Sequence, residues 1–216
     1  MAKKRISDVL IDVLANAGIE RIYGITGDSL NSVNDSLRRN GKIAFEHVRH
    51  EETAAFAAGA EASLTHKLTV CAGSSGPGNL HLINGLFDCH RNRVPVLAIA
   101  SHIPQSEVGL NYFQETHPEN LFKECSCFCE LVSNPKQMPE ILFRAMNAAI
   151  GNQDVAVIVL PGDVAVMEME IDELPVWNQP RLPHIVPQHD DIEEMAAHLE
   201  TGKRITLFCG AGCEGA

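Results

Sequence analysis

The hydrophobic and polar positions of the 216-residue chain follow two different periods. Apolar side chains recur every three or four positions over residues 6–17, as on one face of a helix, whereas residues 68–72, 94–100 and 155–160 are short continuous apolar runs. Such runs are typical of strands that are buried on both faces of a sheet. The pattern predicts strands at residues 21–26, 42–48, 68–72, 94–100, 125–132 and 155–160. It predicts helices at residues 6–17, 30–39, 51–65, 79–91 and 135–151.

This alternation of strands and helices predicts an α/β fold with a parallel sheet that is covered by helices on both faces. In such doubly wound sheets, ligands bind beyond the carboxyl ends of the strands. The segments 26–28, 73–79, 101–114 and 161–163 each follow a predicted strand. We therefore expect them to gather at one edge of the sheet and to hold the functional residues.

The last fifty residues differ in character from the rest of the chain. Residues 164–188 contain four prolines and no clear period, which indicates a linker. A predicted helix at 190–199 and a predicted strand at 204–209 then lead into the glycine turn Gly210-Ala211-Gly212. A strand followed by a glycine turn is half of a βα unit, so we expect the chain to stop at the start of a second α/β domain.

Composition and charge narrow the possible functions. The chain has 17 basic and 28 acidic residues, a formal net charge of −11, which argues against non-specific binding of nucleic acid. No apolar run is long enough to span a membrane, and no secretory signal is predicted. The seven cysteines are an odd number and favour a reducing cytoplasm. They lack the spacing of a metal site, and we interpret them as small apolar side chains.

Glu51 and Glu52 open a predicted helix whose body consists mainly of alanine and glycine. Neighbouring residues on a helix point about 100° apart, so at most one of the two carboxylates can face a given site. Small side chains let a flat ligand or another backbone approach closely. The alternatives for this pair are a carboxylate that only complements the helix dipole and one that transfers protons in a partly dry pocket.

The loop 73–79 is rich in glycine, with Pro77 between Gly76 and Gly78. Its spacing fits neither a dinucleotide fingerprint nor a P-loop, and a simple βα connection is the alternative to a binding loop. Ser74 and Ser75 lack the flanking pattern of a nucleophile elbow. Phe113 and Gln114 lie in an irregular segment, and spacing alone favours a surface loop over a cap on a ligand.

Five segments together resemble the thiamine diphosphate-dependent enzymes, and within them the branch of bacterial pyruvate oxidases, or quinone-dependent pyruvate dehydrogenases. The Arg-His-Glu and Ser-Gly-Pro-Gly runs are typical of the superfamily, and GDSLN, HLINGLFDCHRN and YFQETHP of the branch. The segments are residues 24–31, 49–62, 71–100, 112–122 and 157–164.

The resemblance implies a pyrimidine-binding domain with a six-stranded parallel sheet, and it implies roles for particular residues. Glu51 would hydrogen-bond the pyrimidine ring of thiamine diphosphate and favour the imino tautomer that ionises the thiazolium carbon. The resulting ylide attacks pyruvate, carbon dioxide leaves, and electrons pass through FAD to quinone. Phe113 and Gln114 are implied as catalytic lining. The further implied cofactor contacts are Gly27, Asp28, Pro77, Gly78 and His81.

The resemblance also implies how the chain is organised. Residues 1–165 would form the pyrimidine domain, 166–189 a linker and 190–216 the beginning of an FAD-binding domain, with Gly210, Ala211 and Gly212 as its first FAD contacts. The diphosphate and Mg²⁺ site would lie in a further domain, so no metal ligand is predicted in this chain and the chain alone is expected to be inactive.

The parent enzyme is implied to be a cytoplasmic homo-oligomer, a dimer of dimers, that touches the inner face of the membrane only through a more distant C-terminal segment. Its active site would lie between two subunits. Three alternatives stay open at this point: an acetolactate synthase-type carboligase, a binding module without chemistry, and, less consistent with the glycine spacing, a NAD-binding Rossmann domain.

Overall fold

The computed structural model describes residues 2–181, 185–210 and 213. The chain divides into two compact units, Met1–Pro180 and Arg181–Ala216. Among the described residues, none of the helices is both long and apolar enough to cross a membrane.

The first unit contains eight described strands and seven described α-helices, joined in places by single turns of 3₁₀ helix. The strands are β1 Ala2–Arg5, β2 Arg21–Gly24, β3 Ala44–His47, β4 Thr69–Gly73, β5 Val96–His102, β6 Phe128–Leu131, β7 Val155–Pro161 and β8 Glu168–Ile171. The helices are α1 Ile6–Asn16, α2 Asn31–Asn40, α3 Glu51–Thr65, α4 Pro77–Arg91, α5 Pro118–Leu121, α6 Met138–Asn152 and α7 Gly162–Val166.

Six of these strands form one parallel sheet in the order β3-β2-β4-β5-β7-β6. Every residue of β4, β5 and β7 is buried, as the continuous apolar runs predict. Alternate side chains of the sheet enter two separate cores, one beneath α1, α2 and α6 and the other beneath α3 and α4. The prediction of a doubly wound, six-stranded parallel sheet is confirmed.

The prediction that residues 164–188 lack regular structure is wrong in part. Helix α7 extends into that segment as far as Val166, strand β8 lies within it, and β8 pairs antiparallel with β1, which was not predicted. The pairing joins residues more than 160 positions apart (Ala2 with Ile171), so no local period encodes it. Leu174 and Trp177 also pack against the first core, and the Trp177 indole donates to Asn147 Oδ1 at 2.9 Å.

The second unit contains helix α8, His189–Thr201, which confirms the helix predicted at 190–199. The prediction of a strand at residues 204–209 is wrong, because residues 203–210 form neither helix nor strand. A strand needs a neighbour to pair its backbone groups, and the described part of this unit offers no other strand. The apolar residues Ile205, Leu207 and Phe208 that suggested the strand are exposed.

Candidate active site at the carboxyl edge of the sheet

Three loops meet at the carboxyl edge of the sheet, as the strand pattern predicts. Ser75, after β4, donates its backbone N–H to Ser29 Oγ at 2.9 Å, and Ser101 Oγ at the end of β5 donates to the Ser29 carbonyl at 2.6 Å. The buried Asn79 side chain donates to the Ser101 carbonyl at 2.8 Å. These bonds fix the turn after β2, the glycine loop and the end of β5 against one another.

Glu51 is the first residue of α3 and is 7% exposed. The preceding His50 caps the helix, because its Nδ1 accepts the backbone N–H of Glu52 at 3.3 Å. The Glu51 carboxylate turns inward, and its Oε2 lies 3.0 Å from Nδ1 of His81 on α4. The Glu52 carboxylate instead accepts a hydrogen bond from Asn84, so the two neighbouring acids face different partners.

The small residues of α3 explain how Glu51 and His81 come together. A Cβ atom on Gly85 of α4 would lie 2.6 Å from Ala55 Cβ and 2.8 Å from the Glu52 carbonyl. A Cβ on Gly59 would likewise lie 2.6 Å from Cys89 Sγ. Because these positions are glycine, α3 and α4 pack backbone against backbone, which holds the acid and the imidazole at contact distance.

The glycine loop reaches Glu51 from the other side. A Cβ on Gly78 would stand 3.2 Å from Glu51 Oε1 and 2.8 Å from Ser74 Oγ. Glycine at this position therefore keeps open the space beside the second carboxylate oxygen. A flat heterocycle needs such a space to reach Oε1, so these residues fit the pyrimidine ring of thiamine. Pro77 lies beside them as the exposed first residue of α4.

His50 and His81 stack on each other, with ring centroids 4.3 Å apart and an angle of 25° between the ring planes. Together with Glu51 they place ligand-type atoms within 4.8 Å of one another, a spacing that could also accept a divalent cation. The stack extends the Glu51–His81 pair toward solvent. His50 was not among the predicted site residues, and histidine is not one of the residue types that mark a helix N-cap in a sequence.

The remaining predicted residues of the first unit lie around a neighbouring cleft of about 300 Å³. Gly27 sits in extended backbone before the turn Asp28–Leu30, and a Cβ there would collide with Ser74 at 2.5 Å. The cleft is lined by hydroxyl, amide, carboxylate, imidazole and aromatic groups, among them Asp28, Ser29, Asn31, Ser32, Ser75, His102, Tyr112, Phe113 and Gln114.

The predicted residues thus form two adjoining groups. Glu51, Gly78 and His81 form one, and Asp28, Phe113 and Gln114 line the cleft. The glycine loop joins the two groups, because Gly78 faces Glu51 while Ser75 Oγ donates to Gln114 Oε1 at 3.3 Å.

Sequence reasoning missed His102, which the structure places in the wall of the cleft. This residue ends β5, two positions beyond the predicted end of the strand; it is 3% exposed, and its Nδ1 has no partner among the described residues. Burial lowers the pKa of His102, and the nearby carboxylates Glu119 and Glu115 only partly oppose this. The ring is therefore mainly neutral at pH 7. A titratable residue two positions beyond the most apolar predicted strand was the signal that could have identified it.

The predicted FAD contacts are not tested by the geometry. Gly210 lies in the second unit, with no atom within 4 Å of the position of an added Cβ. Ala211 and Gly212 lie outside the described residues. Their assignment to FAD stays a prediction.

A parallel sheet with a buried glutamate at the start of a small-residue helix, facing a glycine loop, is suited to hold an aromatic cofactor. Residues 4–121 match the family "Thiamine pyrophosphate enzyme, N-terminal TPP binding domain", and the chain belongs to that family. It contains the thiamine diphosphate-binding pyrimidine domain of a thiamine diphosphate-dependent enzyme.

Three relatives indicate the range of proteins to which the chain is similar. It is 57% identical to the uncharacterized 42.6 kDa protein in the isoamylase 3′ region of Pseudomonas amyloderamosa; the match covers the whole chain and 55% of that protein. It is 35% identical to the acetolactate synthase of Arthrospira platensis; the match covers 81% of the chain and 31% of that protein. It is 32% identical to the pyruvate oxidase of Lactiplantibacillus plantarum; the match covers 94% of the chain and 34% of that protein. The chain thus spans about half of the first relative and a third of the others.

Proposed function

We propose that the chain is part of an enzyme that oxidatively decarboxylates pyruvate to acetate and carbon dioxide and passes the electrons through FAD to a quinone. The observation that carries the proposal is the placement of Glu51, buried at the head of α3 with one carboxylate oxygen against His81 and the other beside the gap at Gly78. The likeness of the GDSLN and YFQETHP segments to the pyruvate oxidase branch supports the choice of reaction.

In this proposal Glu51 acts on the pyrimidine ring of thiamine diphosphate. The cofactor, once bound, supplies a carbon nucleophile after a proton is lost from its thiazolium ring. Glu51 Oε1 would hydrogen-bond a ring nitrogen of the pyrimidine and exchange a proton with it, while His81, 3.0 Å from Oε2, holds the carboxylate in place. Gly78 leaves a space that the ring would occupy, and Pro77 fixes the backbone at the start of α4.

Gly27, Asp28, Phe113 and Gln114 are proposed to face the reacting groups from the cleft. Phe113 offers an apolar surface, Gln114 an amide, and Asp28 a carboxylate at the rim. The cleft lining described here contains no lysine or arginine, so a pyruvate carboxylate would take its positive partner from outside this lining.

Other parts of the parent protein would complete the enzyme. The diphosphate and Mg²⁺ would be held by a further domain, and FAD by a domain that begins in residues 190–216, because the chain covers only about a third of the pyruvate oxidase it resembles. Assembly as a dimer of dimers and peripheral contact with a membrane belong to the same proposal.

Binding of thiamine to the 216-residue chain tests the role of Glu51 without the missing domains. Thiamine lacks the diphosphate and needs no Mg²⁺, and EDTA keeps stray cations away from His50, Glu51 and His81. We expect Glu51→Gln to weaken binding about 10- to 100-fold, the typical cost of losing a hydrogen bond to a charged group. Glu52→Gln is the matched control and should change the affinity less than about twofold. Equal losses in both variants would contradict the assignment.

A second candidate reaction is the carboligation of acetolactate synthase, favoured by the 35% identity to the Arthrospira enzyme. The two reactions share the cofactor chemistry but differ in redox outcome. In the full-length protein, pyruvate-dependent dye reduction without acetolactate would support the oxidase. Acetolactate formation without dye reduction would replace it with the carboligase.

A further inference from the structure

The loop between β5 and α5 holds an unusual local backbone. Gly109, Asn111 and Gln114 all have positive φ angles, of 87°, 57° and 63°. Two of these three residues carry side chains, which disfavour the left-handed conformation unless other contacts hold it. Phe113, between them, is 79% exposed. The loop therefore needs a specific tether to keep an aromatic ring in this position.

The Glu115 carboxylate supplies one tether. Its Oε2 accepts the backbone N–H of Tyr112 at 3.0 Å, and its Oε1 accepts the backbone N–H of Gly109. The Glu115 backbone N–H donates in turn to the Tyr112 carbonyl at 2.9 Å. One side chain thus closes the turn that carries Phe113 and Gln114.

The glycine loop supplies the second tether. Gly76 has a φ of +67°, and a Cβ on it would lie 2.8 Å from Gln114 Cβ and 2.9 Å from the Gln114 carbonyl. The contact is therefore possible only with glycine at position 76. Ser75 Oγ also donates to the Gln114 side chain at 3.3 Å. Gln114 is held between the glycine loop on one side and the turn closed by Glu115 on the other.

We propose that Glu115 is a positioning residue, whose carboxylate fixes the turn 109–114 so that Phe113 and Gln114 stand at the mouth of the cleft. The tether itself follows from the hydrogen bonds. Its consequence for turnover rests on the proposed function, which makes Phe113 and Gln114 contacts of the reacting groups.

The charge of Glu115 should control the turn. The amide of Gly109 lowers the pKa of Glu115 most; burial acts against it, and the amides of Tyr112 and Asn111 and the nearby His117 lower it further. The Glu115 carboxylate also acts on the pKa of His102, which it raises against the larger lowering by burial. A carboxyl with a lowered pKa keeps its stabilising bonds above its ordinary value of 4.5 and loses them as the pH falls through the lowered value.

Nuclear magnetic resonance of the 216-residue chain tests the tether directly. In the wild type, the Gly109 and Tyr112 amide protons should titrate together with a midpoint below 4.5, and in Glu115→Gln this titration should vanish. Amide exchange over 109–114 should rise about tenfold in the variant. Glu107→Gln is the control, because the hydrogen bonds of Glu107 to its neighbours use its backbone: its N–H donates to the Pro104 carbonyl at 3.0 Å, and its carbonyl accepts from Leu110 at 3.2 Å.

Steady-state kinetics of the full-length parent enzyme test the positioning. Glu115→Gln should lower kcat/KM for pyruvate about 10- to 100-fold, with unchanged thiamine diphosphate affinity. Glu115→Asp should recover part of the loss, and Glu107→Gln should behave as wild type.

Two results would overturn the proposal. One is an unaltered titration and exchange in Glu115→Gln, and the other is a loosened turn with normal turnover. Neither result depends on the thiamine affinity of Glu51→Gln, which tests the proposed function. A failure of the Glu115 proposal can therefore be told apart from a failure of the proposed function.

Discussion

At the scale of single residues, the site depends on which atoms have room beside Glu51. Its Oε2 is occupied by His81, and its Oε1 faces the position where a Cβ on Gly78 would stand. The gap is thus as much a part of the proposed thiamine site as the carboxylate.

Gly78→Ala should close that gap. The new methyl group would stand 3.2 Å from Glu51 Oε1 and 2.8 Å from Ser74 Oγ, so thiamine affinity should fall at least about tenfold. Gly151→Ala in α6 is the matched control, because its added Cβ meets nothing within 4 Å. Isothermal titration of both variants measures the difference, and similar affinities for thiamine would refute the steric argument.

His81→Ala should remove the imidazole that contacts Glu51 Oε2. The carboxylate then loses its fixed orientation, and we expect thiamine affinity to drop about 5- to 10-fold, less than in Glu51→Gln. The same titration checks this, with His90→Ala as control, since His90 near the end of α4 contacts Asp154 instead of Glu51. A loss as large as that of Glu51→Gln would mean that His81 contacts the ligand itself.

At the scale of elements, the close approach of α3 and α4 sets the distance between acid and imidazole. Sequence reasoning identified α3 and its small residues, because their alanine and glycine content is local information. It did not identify Gly85 on α4, whose meaning emerges only when Ala55 and the Glu52 carbonyl are seen 2.6 and 2.8 Å from its missing Cβ.

Gly85→Ala should therefore separate the two helices. Overpacking at such a contact typically costs about 1–3 kcal/mol, and the shift should also lengthen the Glu51–His81 contact. Chemical denaturation measures the free energy of unfolding, with Gly151→Ala again as control, since alanine there is expected to be neutral or slightly stabilising. Unchanged stability in Gly85→Ala would contradict the packing argument.

At the scale of the whole molecule, the pattern of apolar runs was sufficient for the sheet but not for its additions. Strands β4, β5 and β7 are buried on both faces, and their sequences show this directly. The β1–β8 pair was missed because its partners are distant in sequence. The strand predicted at 204–209 failed because an apolar run specifies a strand only when a neighbour is there to pair with it.

The ends of the strands were predicted less well than their centres, with consequences for the site. Loop positions such as Gln114 depend on bonds between loops, for example from Ser75, that no local period records. The resemblance of particular motifs supplied Glu51, Phe113 and Gln114, whereas periodicity alone left each of them ambiguous.

An ion-pair network joins β1, α1 and α2 and should make the stability of the first unit depend on pH. Arg5 and Arg39 contact both Asp8 and Asp35, and the bond from Arg5 holds the pKa of Asp35 well below its usual range, with Arg38 and Arg39 adding to it. Burial raises the pKa of Asp8, but bonds from Ser36, Arg5 and Arg39 leave it lowered overall.

Both acids have lowered pKa values, so their stabilisation is complete above the ordinary value of 3.8 and is lost as the pH falls below it. Thermal melts of Asp35→Asn should show a lower Tm near pH 6 and a shallower loss of Tm toward pH 3. Salt should narrow the difference from wild type, because the network is partly exposed. Parallel Tm curves for the two proteins would contradict the assignment.

The most direct test of the account is a crystal structure of the chain with thiamine bound. We predict that the pyrimidine ring lies between Gly78 and α3, with a ring nitrogen within hydrogen-bond distance of Glu51 Oε1. A ring bound elsewhere, for instance in the cleft beside His102 and out of reach of Glu51, would contradict it.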